Sequence, residues 1–314
     1  MEKIGADKAA ALLDAAREIL LIGHTDPDGD CLGSLYAMKA GLVSKGKKAG
    51  VYLRKPLPLK YRFLGDELKE NAEIPKCDLI VALDTPQLKR LDIGNSAQLK
   101  DPILAIDHHP GEHSEFSYAL WDDGKSACAL LVKEVLQKMA VAITPKMAGA
   151  LYAGIMTDTN SFVNQNTERD AFVAAGELMD LGARPNEIAK YVYGSLTPGD
   201  ISALSKALST LELYDRDRIA ILSLKKEWQD EHNDADTELF VNYARDLINT
   251  EVAIMLTETK ESVRVNLRSK NAFDVSAVAK RLGGGGHKPA AGIRMKCSLE
   301  EAKKILLENI KFDD

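Results

Sequence analysis

The sequence predicts an α/β fold, with a doubly wound, mainly parallel sheet in an N-terminal domain and a smaller α+β domain after it. Through the first half of the chain, short apolar runs alternate with stretches of helical spacing, which is typical of buried parallel strands joined by helices. In the second half, strand-like segments alternate in polarity and helical segments flank them. A chain of 314 residues has room for two domains of ordinary size.

The first domain is predicted to begin with an amphipathic helix that runs into a strand. Residues 9–22 are apolar but carry Asp14, Arg17 and Glu18, which a secretory leader would not contain. The four predicted strands are residues 20–23, 48–53, 78–83 and 103–106. The three further predicted helices are residues 33–45, 126–139 and 146–157.

The pattern changes around residue 194, where Gly194, Pro198 and Gly199 indicate a boundary. We predict a first domain over residues 1–190, a linker over 191–208 and a second domain over 209–314. The strands predicted in the second domain are residues 218–224, 252–258 and 262–268.

Composition and charge argue against a membrane protein, a cysteine-based framework and a binder of long duplex nucleic acid. With 45% hydrophobic and 28% charged residues, the chain resembles ordinary folded globular proteins. No uncharged apolar run approaches the roughly 20 residues that cross a bilayer, so we expect a cytoplasmic protein with no membrane partner. The four cysteines form no Cys-x-x-Cys pair, which argues against a zinc knuckle or a disulfide framework. A net charge of -6 argues against binding long duplex nucleic acid.

Three of the predicted strands end in acidic or imidazole side chains, and an apolar helix ends in another acidic one. Ligands of open α/β sheets bind at the carboxyl ends of parallel strands, so we expect these side chains to converge there. In chain order they are His24, Asp28, Asp30, Asp84, Asp107, His108, His109 and Asp158. Taken singly, Asp28 or Asp84 could simply cap a helix, and it is the combination that favours a metal site.

Electrostatics and ligand type indicate which ions would bind. Several carboxylates in one crevice would repel one another and raise their own pKa values unless cations neutralised them. Carboxylate and imidazole donors suit divalent ions, and two sites that share a carboxylate would fit Mn2+, with Mg2+, Co2+ and Fe2+ as alternatives. Two such ions about 3.5 to 4 Å apart favour hydrolysis of a phosphate ester.

These residues also carry a resemblance to a known family. The segment HTDPDGD at 24–30, followed by Gly33 and Ser34, then Asp84, the triplet 107–109 and Asp158, resembles the four motifs of the DHH phosphoesterase superfamily. Further along, the glycine run 283–286 with His287, and Ala290-Ala291-Gly292 after it, resembles the DHH-associated C-terminal domain. The two-domain length and the segments FVNYAR (240–245) and VNLRSK (265–270) are most similar to the nanoRNase and pAp-phosphatase group.

The resemblance implies a role for each candidate in the first domain. One metal would be held by His24, Asp28 and Asp84, and the other by Asp30, Asp84, His108 and Asp158, with Asp84 as the bridge. The two catalytic residues beside the metals would be Asp107 and His109. Asp107 would orient a neighbouring ligand. His109 would face the scissile phosphate.

The second domain is expected to bind substrate. By themselves, four consecutive glycines indicate either an anion-binding nest or a flexible loop, and an arginine after a strand is most often solvated. The resemblance implies that Arg268 and His287 hold a terminal phosphate while Gly284, Gly285 and Gly286 admit the nucleotide. A clamp of this kind would explain a preference for short substrates.

The resemblance therefore implies hydrolysis of short RNA oligonucleotides to mononucleotides and of 3'-phosphoadenosine 5'-phosphate (pAp) to AMP. A phosphodiesterase acting on linear dinucleotides or cyclic di-AMP is an alternative that differs only in substrate. A manganese pyrophosphatase would be expected to carry a denser basic signature in its second domain, and a RecJ-like exonuclease a more basic chain. A nucleotide-binding regulator without catalysis should lack at least one ligand. A homodimer is compatible with the sequence, since such dimers are common.

Overall fold

The computed structural model of the chain describes residues 1–65, 68, 76–93, 99, 102–230, 237 and 239–312. The chain divides into two compact units, Met1–Ser195 and Leu196–Asp314. The segment 191–208, expected as a linker, contains a helix, Pro198–Leu208, that belongs to the second unit. The domain limits given above stay a prediction.

The first unit is built on a parallel sheet. Its strands, within the described residues, are β1 (Glu2–Lys3), β2 (Glu18–Ile22), β3 (Lys48–Tyr52), β4 (Leu79–Leu83), β5 (Ile103–Asp107) and β6 (Tyr118–Trp121). They lie in the order β1-β6-β5-β4-β2-β3, and every neighbouring pair is parallel. The predicted strands correspond to β2 through β5. The sequence does not predict β1 and β6, which are too short to show a period.

The strand order creates a crevice at one edge of this sheet. After β3 the chain returns past β2 and forms β4 on the other side of it, so the winding direction reverses between β2 and β4. Ligands of doubly wound sheets bind at the carboxyl ends of the strands beside such a reversal. The candidate residues after β2, β4 and β5 lie at this edge.

Helices cover one face of the sheet. The helices of the first unit, within the described residues, are α1 (Ala6–Ala15), α2 (Gly29–Ser44), α3 (Cys128–Lys138), α4 (Pro145–Asp158), α5 (Arg169–Asp180) and α6 (Pro185–Tyr193). Leu21 and Val81 face the core that these helices form, whereas Leu20 and Ile80 point to the other face, where they pack with Phe116. All four strand residues are buried, as expected for parallel strands covered on both sides.

Helices α2 and α4 pack unusually closely. A Cβ atom at Gly33 would lie 2.3 Å from the carbonyl oxygen of Ala150, so only glycine fits at this crossing. This contact brings the first turn of α2, which carries Asp30, against the second half of α4, which ends at Asp158.

The second unit has a mixed sheet, as an α+β domain should. Its strands, among the described residues, are β7 (Glu212–Tyr214), β8 (Ile219–Leu224), β9 (Val252–Glu258), β10 (Val263–Ser269), β11 (Gly285–His287) and β12 (Ala290–Met295). The order is β11-β12-β10-β9-β8-β7, with β8 and β9 parallel and the other pairs antiparallel. The accompanying helices are α7 (Pro198–Leu208), α8 (Lys226–Asp230), α9 (Phe240–Arg245), α10 (Val275–Arg281) and α11 (Leu299–Asn309).

The predicted fold class, an α/β unit with a parallel sheet followed by an α+β unit, is therefore confirmed. No helix in the described part of the chain combines the length and the apolar character needed to cross a membrane.

Candidate metal centre

The first two aspartates of the site are fixed by helix N-termini. Asp28 is the N-cap of α2, and its Oδ1 accepts hydrogen bonds from the backbone N–H groups of Asp30 (3.0 Å) and Cys31 (3.1 Å). Asp30 is fully buried and accepts from the first amides of α3, those of Cys128 (2.6 Å) and Ala129 (2.9 Å). The positive end of each helix dipole thus stabilises a carboxylate that would otherwise be costly to bury.

Asp84 lies at the centre of the site. It follows β4 with a φ of +62°, a left-handed conformation that is uncommon outside glycine, asparagine and aspartate. Its Oδ2 is 3.5 Å from His24 Nε2, and its Oδ1 is 3.5 Å from His108 Nε2 and 3.6 Å from His109 Nδ1. Within the described residues, buried Oδ1 has no hydrogen-bond partner. One carboxylate therefore faces three imidazoles.

The other predicted ligands gather around these imidazoles in two sets that share Asp84. His24 Nε2 is 3.8 Å from Asp28 Oδ1, and His108 Nε2 is 3.8 Å from Asp30 Oδ2 and 3.7 Å from Asp158 Oδ2. These separations are too long for hydrogen bonds. Donors that each lie about 2.0 to 2.2 Å from a common ion are spaced in this way. The sequence-predicted ligands His24, Asp28, Asp30, Asp84, His108 and Asp158 are thus all brought together.

The imidazoles present the correct nitrogen to the site. His108 Nδ1 is 3.0 Å from the carbonyl oxygen of Lys125, and His24 Nδ1 is 3.0 Å from that of Thr25. A carbonyl can only accept, so Nδ1 carries the proton in both rings and Nε2 faces the acidic side chains. Backbone acceptors behind a metal-ligating histidine commonly fix the ring in this way.

Burial and charge shift the pKa values of the cluster in opposite directions. Burial by itself would lower the pKa of His24, but Asp28 and Asp84 outweigh it and hold that pKa well above its usual value. His108 behaves likewise: burial lowers its pKa, whereas Asp158 and Asp84 outweigh that effect and raise it. Burial raises the pKa of Asp158 to about 6, with a further contribution from Asp28 and Asp84. The site concentrates more negative charge than its histidines neutralise, which favours cation binding.

Beside the metal ligands lie three contributors that the sequence did not indicate. Asn166 donates from Nδ2 to Asp158 Oδ2 (3.1 Å) and so orients that ligand, and the backbone of Lys125 orients His108. Cys31 is buried, and its thiol lies within 4.8 Å of donor atoms of His24 and Asp84, although the sequence suggested a site without sulfur. Burial raises the pKa of this thiol well above its usual value. A backbone acceptor or a lone asparagine leaves no signal in a sequence.

The two predicted catalytic residues form a hydrogen-bonded pair beside the metal ligands. Asp107 is fully buried, and its Oδ1 accepts from His109 Nδ1 at 2.8 Å. Its Oδ2 is 2.7 Å from Nε2 of His113, a third residue that the sequence analysis did not single out. Burial opposes ionisation of Asp107, but the charge of His109 and the two hydrogen bonds outweigh it, so the pKa of Asp107 lies below its usual value.

The predicted substrate residues of the second unit also lie together. In the register of its sheet, Arg268 on β10 pairs with Ala290 on β12, which pairs with His287 on β11. Residues in one such row point to the same face, so Arg268 and His287 share a face, about 10 Å apart across two strand spacings. This is the half-buried face, since Val265 and Leu267 on β10 are buried on the opposite one.

The glycine run is part of the sheet and not only a loop. Gly285 and Gly286 belong to β11. A Cβ at Gly284 would lie 2.2 Å from the carbonyl oxygen of Gly292, and one at Gly286 would lie 2.4 Å from that of Ala290. Glycine is therefore required here for the close approach of β11 and β12, whatever else the run binds.

Comparison with known proteins gives the family. Residues 18–155 match the DHH family, N-terminal domain, and residues 217–311 match the DHHA1 domain. The chain belongs to the DHH family. As a DHH-family phosphoesterase it is a hydrolase of a metal-dependent class, and its acidic and histidine groups could hold a metal, as the sequence analysis predicted.

Relatives of known name cover nearly the whole chain. The bifunctional oligoribonuclease and PAP phosphatase NrnA of Thermus thermophilus is 29% identical over 296 residues, 93% of this chain and 89% of the relative. The protein of the same name from Bacillus subtilis is 25% identical over 298 residues, 92% of this chain and 93% of the relative.

Solved structures agree on the fold. An exopolyphosphatase-related protein from Bacteroides fragilis matches with a TM-score of 0.86 and 26% identity, covering 97% of this chain and 94% of that one. RecJ of Thermus thermophilus in complex with Mn2+ matches with a TM-score of 0.57 and 14% identity, covering 99% of this chain and 55% of that one. The second likeness, at this identity, shows the fold alone.

Proposed function

We propose that this DHH-family chain is a two-metal phosphoesterase that cleaves short oligoribonucleotides to mononucleotides and converts pAp to AMP. One observation carries the proposal: two sets of largely buried donors share Asp84, and in each set the histidine Nε2 lies 3.5 to 3.8 Å from the carboxylate oxygens. The substrates follow from the relatives, whose names state an oligoribonuclease and a PAP phosphatase. The location in the cytoplasm and a homodimeric state stay predictions.

The ligand sets suit a pair of divalent ions, with Mn2+ as our choice. His24, Asp28 and Asp84 would hold one ion, and Asp30, Asp84, His108 and Asp158 the other, since oxygen and imidazole donors suit Mn2+. Such a pair, when bound, supplies Lewis-acid stabilisation of the phosphoryl oxygens and lowers the pKa of the attacking water. The helix N-termini at Asp28 and Asp30 hold these two side chains in place.

Beside the ions, His109 would face the scissile phosphate and Asp107 would orient its neighbour. Asp107 accepts a hydrogen bond from the Nδ1–H group of His109, which leaves Nε2 as the nitrogen directed away from Asp107. From that nitrogen His109 would contact an oxygen of the scissile phosphate. The hydrogen bond to Asp107 would hold the His109 ring so that Nε2 faces the phosphate.

The second unit would supply the substrate contacts. Arg268 and His287 share one face of its sheet, and both can donate hydrogen bonds to phosphate oxygens. The absence of side chains at Gly284, Gly285 and Gly286 would let a nucleotide approach the backbone. The -6 net charge suits a protein that binds a small anion in a local basic patch and not a long nucleic acid.

A substrate panel tests the proposal. The purified chain with Mn2+ should release mononucleotides from a 5'-labelled RNA dinucleotide and AMP from pAp, both faster than it hydrolyses pyrophosphate or cyclic di-AMP. A preference for pyrophosphate or for cyclic di-AMP would contradict the substrate assignment. If all four compounds stay intact, the chain is not the enzyme we propose.

A matched pair of arginine variants tests the role of the second unit. We expect Arg268→Ala to raise KM for the dinucleotide by at least about tenfold, the loss typical of one charged hydrogen bond of roughly 1.5 kcal/mol or more. Arg264 lies on the same face of β10 but pairs with Arg294, outside β11, so Arg264→Ala is the control. Equal increases in KM for the two variants, or a loss of Mn2+ affinity in Arg268→Ala, would contradict the assignment.

A further inference from the structure

We propose that His113 is a positioning residue for the reaction: it holds the carboxylate of Asp107, and through Asp107 it fixes the direction of the His109 ring. This inference rests on the proposed function, in which His109 contacts the scissile phosphate. His113 lies outside the motif residues of the candidate site and touches neither the predicted metal ligands nor, in this scheme, the substrate.

The three side chains form a continuous buried chain. His113 Nε2 is 2.7 Å from Asp107 Oδ2, and Asp107 Oδ1 is 2.8 Å from His109 Nδ1. His113 is 1% exposed, Asp107 0% and His109 8%, so exposure increases only at the end that would meet the substrate. In this dry environment both hydrogen bonds are stronger than they would be in water.

The surroundings of His113 indicate which of its ring nitrogens is the donor. Its ring lies 4.9 Å from that of Trp121 and 6.2 Å from that of Phe116, and its buried Nδ1 has no hydrogen-bond partner within the described residues. A proton on Nδ1 would therefore be an unsatisfied buried donor. The hydrogen-bond pattern therefore assigns a proton to Nε2, which donates to Asp107.

The donation from His113 leaves His109 a single arrangement. With Oδ2 of Asp107 occupied, Oδ1 is the oxygen directed at His109, and a carboxylate can only accept, so His109 donates from Nδ1. Without His113, Oδ2 would be a buried acceptor with no partner among the described residues, and the carboxylate could rotate to share its oxygens with His109. The direction of His109 Nε2 would then no longer be defined.

Trp121 connects the two ends of this chain. Its Nε1 donates to the backbone oxygen of His109 at 2.7 Å while its ring lies against His113. The ammonium group of Lys3 in turn lies 4.3 Å from the centre of the Trp121 ring. Both histidines therefore contact the side chain of one residue, Trp121, which lies on β6.

Two variants separate positioning from packing. His113→Gln keeps an N–H donor at similar reach, whereas His113→Leu fills the apolar space without a donor. We expect His113→Leu to lower kcat for the dinucleotide by about 10- to 100-fold, the usual effect of losing a partner behind an active-site ligand, with little change in KM. His113→Gln should keep most of the activity. Equal losses in the two variants would overturn the proposal.

A second measurement needs no turnover. In protein with 15N-labelled histidine, loaded with Mg2+, NMR should show one sharp signal for the His109 Nδ1–H that is hydrogen-bonded to Asp107, in the wild type and in His113→Gln, and a shifted or broadened signal in His113→Leu, where the carboxylate can rotate. An unchanged His109 Nδ1–H signal in His113→Leu would overturn the proposal. If the wild type hydrolyses none of the substrates, the proposed function fails, but this readout still decides the role of His113.

Folding controls complete the design. Mn2+ stoichiometry and melting temperature should be those of the wild type in His113→Gln. If His113→Leu does not fold, His113→Asn replaces it, since its amide is one carbon shorter than that of glutamine and does not reach Asp107. Wild-type kcat in a folded His113→Asn would overturn the proposal as well.

Discussion

Replacing Asp84 by asparagine should remove metal binding and leave the fold intact. The carboxylate is 2% exposed and faces three imidazole nitrogens at 3.5 to 3.6 Å, so solvent screens it little. Two unit charges about 4 Å apart interact by about 4 kcal/mol at an effective dielectric constant of about 20. In Asp84→Asn each divalent ion would lose at least about 4 kcal/mol of binding free energy, which corresponds to about a 1000-fold weaker affinity.

The backbone of Asp84 offers a matched control. Its φ of +62° is tolerated by asparagine, but a residue without a polar side chain pays roughly 1–2 kcal/mol there. Asp84→Ala should thus lose metal binding as Asp84→Asn does. In the presence of EDTA it should also melt about 2 to 8 °C below Asp84→Asn, at about 2 to 4 °C per kcal/mol for a unit of this size.

The assays are a Mn2+ titration followed by electron paramagnetic resonance and thermal unfolding in EDTA. We expect two bound Mn2+ ions in the wild type and at most one weakly bound ion in Asp84→Asn, with dinucleotide hydrolysis reduced in parallel. Two ions bound by Asp84→Asn at nearly wild-type affinity would refute the bridging role. Identical melting of the asparagine and alanine variants would refute the backbone argument.

Two further predictions concern protons and packing. The raised pKa values of His24 and His108 keep both rings protonated near neutral pH when no metal is bound. Mn2+ must displace those protons, so the Mn2+ affinity should rise with pH. A binding enthalpy, measured by calorimetry, that does not depend on the ionisation enthalpy of the buffer would contradict this. Gly33→Ala should destabilise the protein by about 1–3 kcal/mol, because the new Cβ would lie 2.3 Å from the carbonyl oxygen of Ala150. The control, Gly176→Ala on α5, has open space around it and should be neutral or stabilising. Equal melting temperatures for the two variants would contradict this.

The position of the candidate site could be predicted because strands of a parallel sheet end at one edge. Asp107 ends β5, Asp84 follows the adjacent β4 and His24 follows β2, so a correct strand assignment is sufficient to place them together. The position of Asp158 could not be predicted from the strands alone. Asp158 reaches the site through the crossing of α2 and α4, which the glycine at position 33 permits. That crossing is a tertiary contact with no period in the sequence.

What the sequence did not indicate depends on contacts between distant residues. His113 is an ordinary loop histidine until the fold places it against Asp107, and Asn166 has meaning only because Asp158 lies beside it. The glycine run 283–286 was open to two interpretations, a nest or a flexible loop. Its pairing in β11 supplies a third reason for glycine, the close approach of two strands, which depends on the partner strand β12.

The backbone amides that donate hydrogen bonds to Asp28 and Asp30 bear on how the protein folds before it binds a metal ion. Each of these carboxylates already has a favourable partner at the start of a helix, so the nascent chain can collapse and mature ahead of metal loading. Loading can then follow the supply of the ion, and an ion that leaves can be replaced by another without dismantling the surrounding helices.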